Sequence, residues 1–143
     1  MNAKAGFTLL EILVVVLIIT ILATIVGVNV LHKPGEARAA AAAAQIRTFK
    51  TALQLYRMDQ GRFPTQRQGL QALCEIPDAE PVPENYPADG YLESANLPDD
   101  PWGNPYVYLV PGPDGEPYTI ISYGGDGEPG GDAEDADISS ADM

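Results

Sequence analysis

The chain has 143 residues, a formal charge of −12, one cysteine and one histidine. The lone Cys74 excludes an intrachain disulfide framework, and with so little Cys and His a zinc site is unsupported. All eight Lys and Arg residues lie at or before Arg67, while the chain from Gln68 onward carries 17 acidic residues and no Lys or Arg. Such a surface repels nucleic-acid phosphates and anionic lipid heads and suits cations. The asymmetry reads either as attraction between the basic stem of one copy and the acidic domain of another, or as a solvated acidic surface.

Phe7 to Leu31 is apolar apart from Thr8, Thr20, Thr24, Asn29 and one ionisable side chain, Glu11. About 20 apolar residues suffice to cross a bilayer as a helix, so a membrane segment is predicted over 7–32. A carboxylate within it costs on the order of 2.5–3.5 kcal/mol on insertion scales. Glu11 therefore either has a partner of opposite charge or sits near the membrane face and stays solvated. A secretory signal does not fit, since the apolar run is too long and no Ala-x-Ala site follows it.

His32-Lys33-Pro34-Gly35 interrupts the pattern and marks either a kinked helix or a break between two helices. The alanine-rich stretch from Ala37 to Ala44 favours helix, and Ile46, Phe49, Leu53 and Tyr56 recur at spacings of 3, 4 and 3. An amphipathic helix is predicted over 33–60, ending near Gly61, with that stripe packed on a small domain. Phe63 to Cys74 reads as a turn and a short helix, capped by Thr65 or Gln66, with Leu70, Leu73 and Cys74 inward. Ile76 to Pro87 is rich in Pro and acids and should be irregular. Tyr91-Leu92 is a candidate short strand. Tyr106–Val110 and Tyr118–Ser122 are β-branched and aromatic runs joined by a Pro- and Gly-containing loop, which predicts a hairpin. The fold class is α+β, a long N-terminal helix on a small antiparallel sheet.

Beyond Ser122, Gly124, Gly125, Gly127, Gly130 and Gly131 alternate with Asp126, Asp132, Asp135 and Asp137. Composition alone leaves two readings, a flexible acidic tail or a cation-binding loop. No EF-hand spacing is present. Acidic pairs sit in loops without a neighbouring His or Cys, no Gly-rich phosphate loop joins a strand to a helix, and Trp102 reads as a packing anchor. No catalytic constellation emerges, and the chain reads as a non-enzyme.

Gly6 followed by Phe7-Thr8-Leu9-Leu10-Glu11 resembles the class III signal of type IV pilins and pseudopilins. FPTQRQGLQAL (63–73), DPWGNPYVYLVPG (100–112) and SYGGDGEPGGDAEDADI (122–138) resemble three blocks of the major pseudopilin family of type II secretion systems. The match runs along nearly the whole chain. Departures are Phe63, where a tyrosine is more usual, and Val28, near which pseudopilins often carry a proline. The resemblance implies a type IV pilin-like fold and cleavage between Gly6 and Phe7 by a prepilin peptidase, with N-methylation of Phe7. It implies that Glu11 faces the amine of a neighbouring subunit. It also implies a structural calcium on Asp126 and Asp137, with the carbonyls of Tyr123 and Glu128 as further ligands and Asp132 and Asp135 less firmly placed.

The division that follows is a leader at 1–6, a transmembrane and assembly helix at 7–32 and an amphipathic helix at 33–60. A globular domain at 61–122, a calcium loop at 123–138 and a tail at 139–143 complete it. The implied function is the major structural subunit of a pseudopilus, anchored by a single pass in the bacterial inner membrane with its C-terminal domain in the periplasm. Polymerisation would drive export of folded proteins across the outer membrane. Implied partners are copies of itself, minor pseudopilins, the inner-membrane platform and the peptidase, with no nucleic acid. The alternatives are a type IV or competence pilin, or a calcium-binding surface module with one membrane pass that never polymerises.

Overall fold

The computed structural model describes residues 6–31 and 33–143, and the side chains of 25–34 lie outside that description. Met1–Ala5 of the expected leader and His32 of the expected interruption are therefore outside the described residues. The chain divides into two units, one ending at Pro34 and one beginning at Gly35.

In the first unit, α1 runs Leu9–Leu31. Thr8 begins it: its hydroxyl accepts from the Glu11 N–H at 3.2 Å, and its carbonyl accepts from Glu11 and Ile12. This Thr-x-x-Glu arrangement satisfies amide donors that a helix start leaves free. Thr20 and Thr24 donate to the carbonyls four residues back, so their hydroxyls are satisfied within the helix. Leu9, Leu10, Ile12 to Ile19, Ile21 and Leu22 are all exposed. Among the described residues no helix is long and apolar enough to cross a membrane, since the described side chains of α1 stop at Thr24.

In the second unit, α2 (Lys33–Gln60) buries Ala42, Ile46, Phe49, Ala52, Leu53 and Tyr56. These positions form one face at a period of 3.6, so the predicted stripe is the core-facing side. The helix stops where Gly61 takes φ +72° and its N–H donates to the Arg57 carbonyl. Against this face lies an antiparallel sheet of β1 (Val107–Leu109), β2 (Thr119–Ser122) and β3 (Ile138–Ser139), in that order. Val107 pairs with Ile121 and Leu109 with Thr119; Ile121 pairs with Ser139 and Ser122 with Ile138. Phe49 meets Tyr106 edge-to-face at 5.0 Å between ring centres, and Phe63 meets Tyr118 at 4.7 Å.

The hairpin is as expected but shorter at both strands. A third strand, β3, forms from residues read as the end of the loop and the start of the tail. Ser140 beyond it is buried, and its hydroxyl accepts from the Ile120 N–H. Tyr91-Leu92 is not a strand; both N–H groups donate to the single carbonyl of Leu73, which holds them in a bend. Leu70–Leu73 forms a 3₁₀ turn with Leu70, Ala72 and Leu73 buried. Thr65 caps the turn ahead of it, its hydroxyl accepting from the Gln68 N–H while Gln68 Oε1 accepts from the Thr65 N–H.

Gln66 has a different job. Its Nε2 donates to the Tyr108 carbonyl at 2.6 Å and its Oε1 accepts from the Val110 N–H at 2.9 Å. One side-chain amide thus occupies the outer edge of β1 as a strand would.

Candidate assembly and cation sites

Two sites are at stake. The first is the start of α1. Glu11 stands exposed in the first turn, its N–H fixed by Thr8, and Phe7 just ahead is 79% exposed. Among the described residues, no side chain of opposite charge lies against Glu11.

The second is the glycine-rich loop between β2 and β3. Both ends are anchored in the sheet, since Ser122 closes β2 and Ile138 opens β3 as its direct partner. Inside the loop, Asp126 Oδ1 accepts from the Glu128 N–H and Asp137 Oδ2 from the Gly130 N–H, both at 3.0 Å. Each of the two best-placed aspartates thus gives one oxygen to the loop's own backbone and remains exposed. Asp135 acts differently. A Cβ on Gly124 would meet its backbone carbon at 2.7 Å, and one on Gly131 its carbonyl oxygen at 2.6 Å. Both glycines also take positive φ, so glycine is required there by conformation and by space.

Asp126, Asp132, Asp135 and Asp137 do not converge: among the described residues no group of three or more Asp, Glu, His or Cys side chains could hold a metal. What the loop offers is two carboxylates together with carbonyls on a backbone wound tightly around Asp135. Hard oxygen donors of this kind suit calcium, which takes six to eight oxygens, better than magnesium with its octahedron or zinc with its N and S ligands, but the carboxylates are not gathered into a cage.

The side chain that holds this loop to the domain was not singled out from the sequence. Asp100 is only 4% exposed, and its carboxylate accepts from Ser122 Oγ at 2.6 Å, from Asn104 N at 2.8 Å and from Trp102 N at 3.1 Å. Asn104 Nδ2 in turn donates to the Gly124 carbonyl at 2.9 Å. Burial of a carboxylate is tolerated because each contact is a charge-assisted hydrogen bond. The visible signal was Asp100-Pro101-Trp102-Gly103, a turn in which the leading Asp bonds its own following backbone. Trp102 packs beside Gly125, where a Cβ would lie 3.3 Å from the indole nitrogen.

Comparison with known proteins identifies the family. Residues 29–141 match the family described as type II secretion system (T2SS), protein G, and residues 1–27 match the prokaryotic N-terminal methylation motif. A Pseudomonas aeruginosa type II secretion system core protein G is 46% identical over 109 residues, covering 76% of this chain and 75% of that protein. The Vibrio cholerae core protein G is 42% identical over 140 residues, covering 98% of this chain and 93% of that one. The crystal structure of the major pseudopilin from the type 2 secretion system of enterohaemorrhagic Escherichia coli matches with a TM-score of 0.67 at 35% identity. It covers 80% of this chain and 96% of that chain. With helix, sheet and both sequence regions in agreement, the chain belongs to the type II secretion system protein G family of major pseudopilins.

Proposed function

We propose that this chain, the major structural subunit of a type II secretion pseudopilus, is anchored in the inner membrane by residues 7–32 and polymerises on the periplasmic side. The observation that carries the reading is the joining, in one chain, of an N-terminal methylation motif at 1–27 to a protein G fold at 29–141. Cleavage between Gly6 and Phe7 would make Phe7 the first residue and place its new amine one turn from Glu11. Two such charges facing each other across neighbouring subunits offset the cost of holding either in lipid. The fibre so formed pushes folded proteins outward, with minor pseudopilins and the inner-membrane platform as its other contacts. The chain needs no catalytic group for this role.

The proposal extends to a structural calcium in the loop between β2 and β3. Asp126 and Asp137 would supply carboxylate oxygens and Tyr123 and Glu128 carbonyls, with Asp132 and Asp135 as secondary candidates. Bound there, the cation would supply charge neutralisation among acidic side chains. The chain itself supplies the scaffold, through Asp100, Ser122 and Asn104.

Intact mass of the membrane-extracted chain tests the assembly reading. Loss of Met1–Gly6 and gain of one methyl group is the expected result. A mature chain that still begins at Met1, or is cut near Ala23, would rule it out.

A further inference from the structure

Between Gly35 and Ala42 no residue of α2 is buried, apart from Gly35 itself. The first two turns of the helix thus have little in the domain to rest on. What covers Gly35 is Glu134, from the middle of the acidic loop. A Cβ on Gly35 would lie 2.7 Å from Glu134 Cδ and closer still to its Cγ and Oε1, so the side chain lies directly over the glycine.

Glu134 is tied to the loop. Its carbonyl accepts from the Gly125 N–H at 2.9 Å, and the Asp135 N–H beside it donates to the Asp132 carbonyl at 3.1 Å. Ala133, just before it, takes φ +57°, a left-handed conformation that a residue with a Cβ adopts only where its surroundings impose it.

We propose that the acidic loop and the first two turns of α2 order and disorder as one unit, with the Glu134–Gly35 contact as the clasp. An event that winds the loop tightly around Asp135 also seats Glu134 against Gly35 and steadies the stretch of α2 that follows it. An event that loosens the loop frees that stretch. The device makes the entry to the soluble unit responsive to the state of a loop some hundred residues later in sequence. That calcium is the event rests on the function proposed above; the mechanical coupling does not.

Hydrogen exchange of the full chain in detergent micelles, followed by mass spectrometry over 35–44 and 123–137, tests it. Gly131→Val opens the loop without removing a proposed metal oxygen, since its Cβ would collide with the Asp135 carbonyl. Exchange should rise about tenfold over 123–137 and several-fold over 35–44, with 49–56 unchanged. Glu134→Ala should speed exchange over 35–44 alone. Calcium should slow both segments in the parent chain and only the loop in Glu134→Ala. Normal exchange over 35–44 in Gly131→Val, or in Glu134→Ala, overturns the coupling. If calcium leaves the parent loop unchanged, the calcium reading falls while the two variants still decide the coupling.

Discussion

Asp100 joins three segments through one carboxylate: its own turn, the end of β2 through Ser122, and through Asn104 the start of the acidic loop. Hydrogen bonds to a charged group contribute about 1.5–3 kcal/mol each, and stranding a buried partner adds a desolvation cost. Asp100→Ala, which strands a buried hydroxyl and two amides, should destabilise the domain by about 3 kcal/mol or more in urea melts. Ser122→Ala removes one donor and should cost about 1–3 kcal/mol. Equal stability of Asp100→Ala and the parent would show that the turn holds itself. Asp126 is the contrasting case, exposed and bonded only within the loop. Millimolar calcium should raise the melting temperature of the parent by several degrees through preferential binding to the folded state. Asp126→Ala should lose that gain with little change in calcium-free buffer. Trp102, the only tryptophan, lies against Gly125 and supplies an independent fluorescence signal for the loop.

At the scale of elements, α2 and the hairpin carry an aromatic core that is sensitive to alkali. Tyr86 is pushed up to about 12 from 10.0, chiefly by burial and then by Cys74 and its tyrosine neighbours. Tyr106 and Tyr108 are pushed up further, again chiefly by burial. A tyrosine that keeps its proton longer in the folded state binds more protons there than in the unfolded chain between pH 10 and 12. Stability should therefore be insensitive to these groups below pH 10 and fall as pH rises through that window. Tyrosinate absorbance should rise mainly above pH 10, and the rise of the buried rings should coincide with unfolding. A single rise near pH 10 with the fold intact would contradict the burial.

The stripe Ile46, Phe49, Leu53 and Tyr56 was legible because a 3.6-residue period belongs to one element and needs no partner to be seen. The hairpin was legible for a similar reason, since β-branched and aromatic runs flank a Pro-Gly loop. β3 was not: Ile138-Ser139 is two residues long, and only pairing with Ile121 and Ser122 makes it a strand. Nor was Gln66, whose amide is edge protection only once Tyr108 and Val110 are placed beside it. The aspartates of the loop could be read as acidic glycine-rich sequence, but which of them bond the backbone and which the glycines close upon depends on how the loop winds. Thr8 and Glu11 were visible as a motif; that Thr8 also caps the helix needed the backbone.

For the whole molecule, assembly and folding rest on separate residues. Glu11 lies in the first unit and is not one of the residues that build the core of the second, so Glu11→Ala should leave the domain's melting temperature unchanged. Insertion should be easier by the cost of one charge, about 2.5–3.5 kcal/mol on insertion scales. Fibre yield and export should nevertheless fall; a yield equal to that of the parent would refute pairing across subunits. The domain, by contrast, completes itself late. The strand that covers β2 is Ile138–Ser139, and the hydroxyl that satisfies the Ile120 amide belongs to Ser140. Chain growth is directional, so β2 is made before the strand that covers it and has one edge bare until residues 138–140 can pair with it. A nonsense codon anywhere in the acidic loop would yield a polypeptide with its whole α2 stripe intact but a permanently open, Ile-bearing edge. Such a product should appear in cells as aggregate or degradation fragments, so residues 138–140 act as a check on which copies can join a fibre.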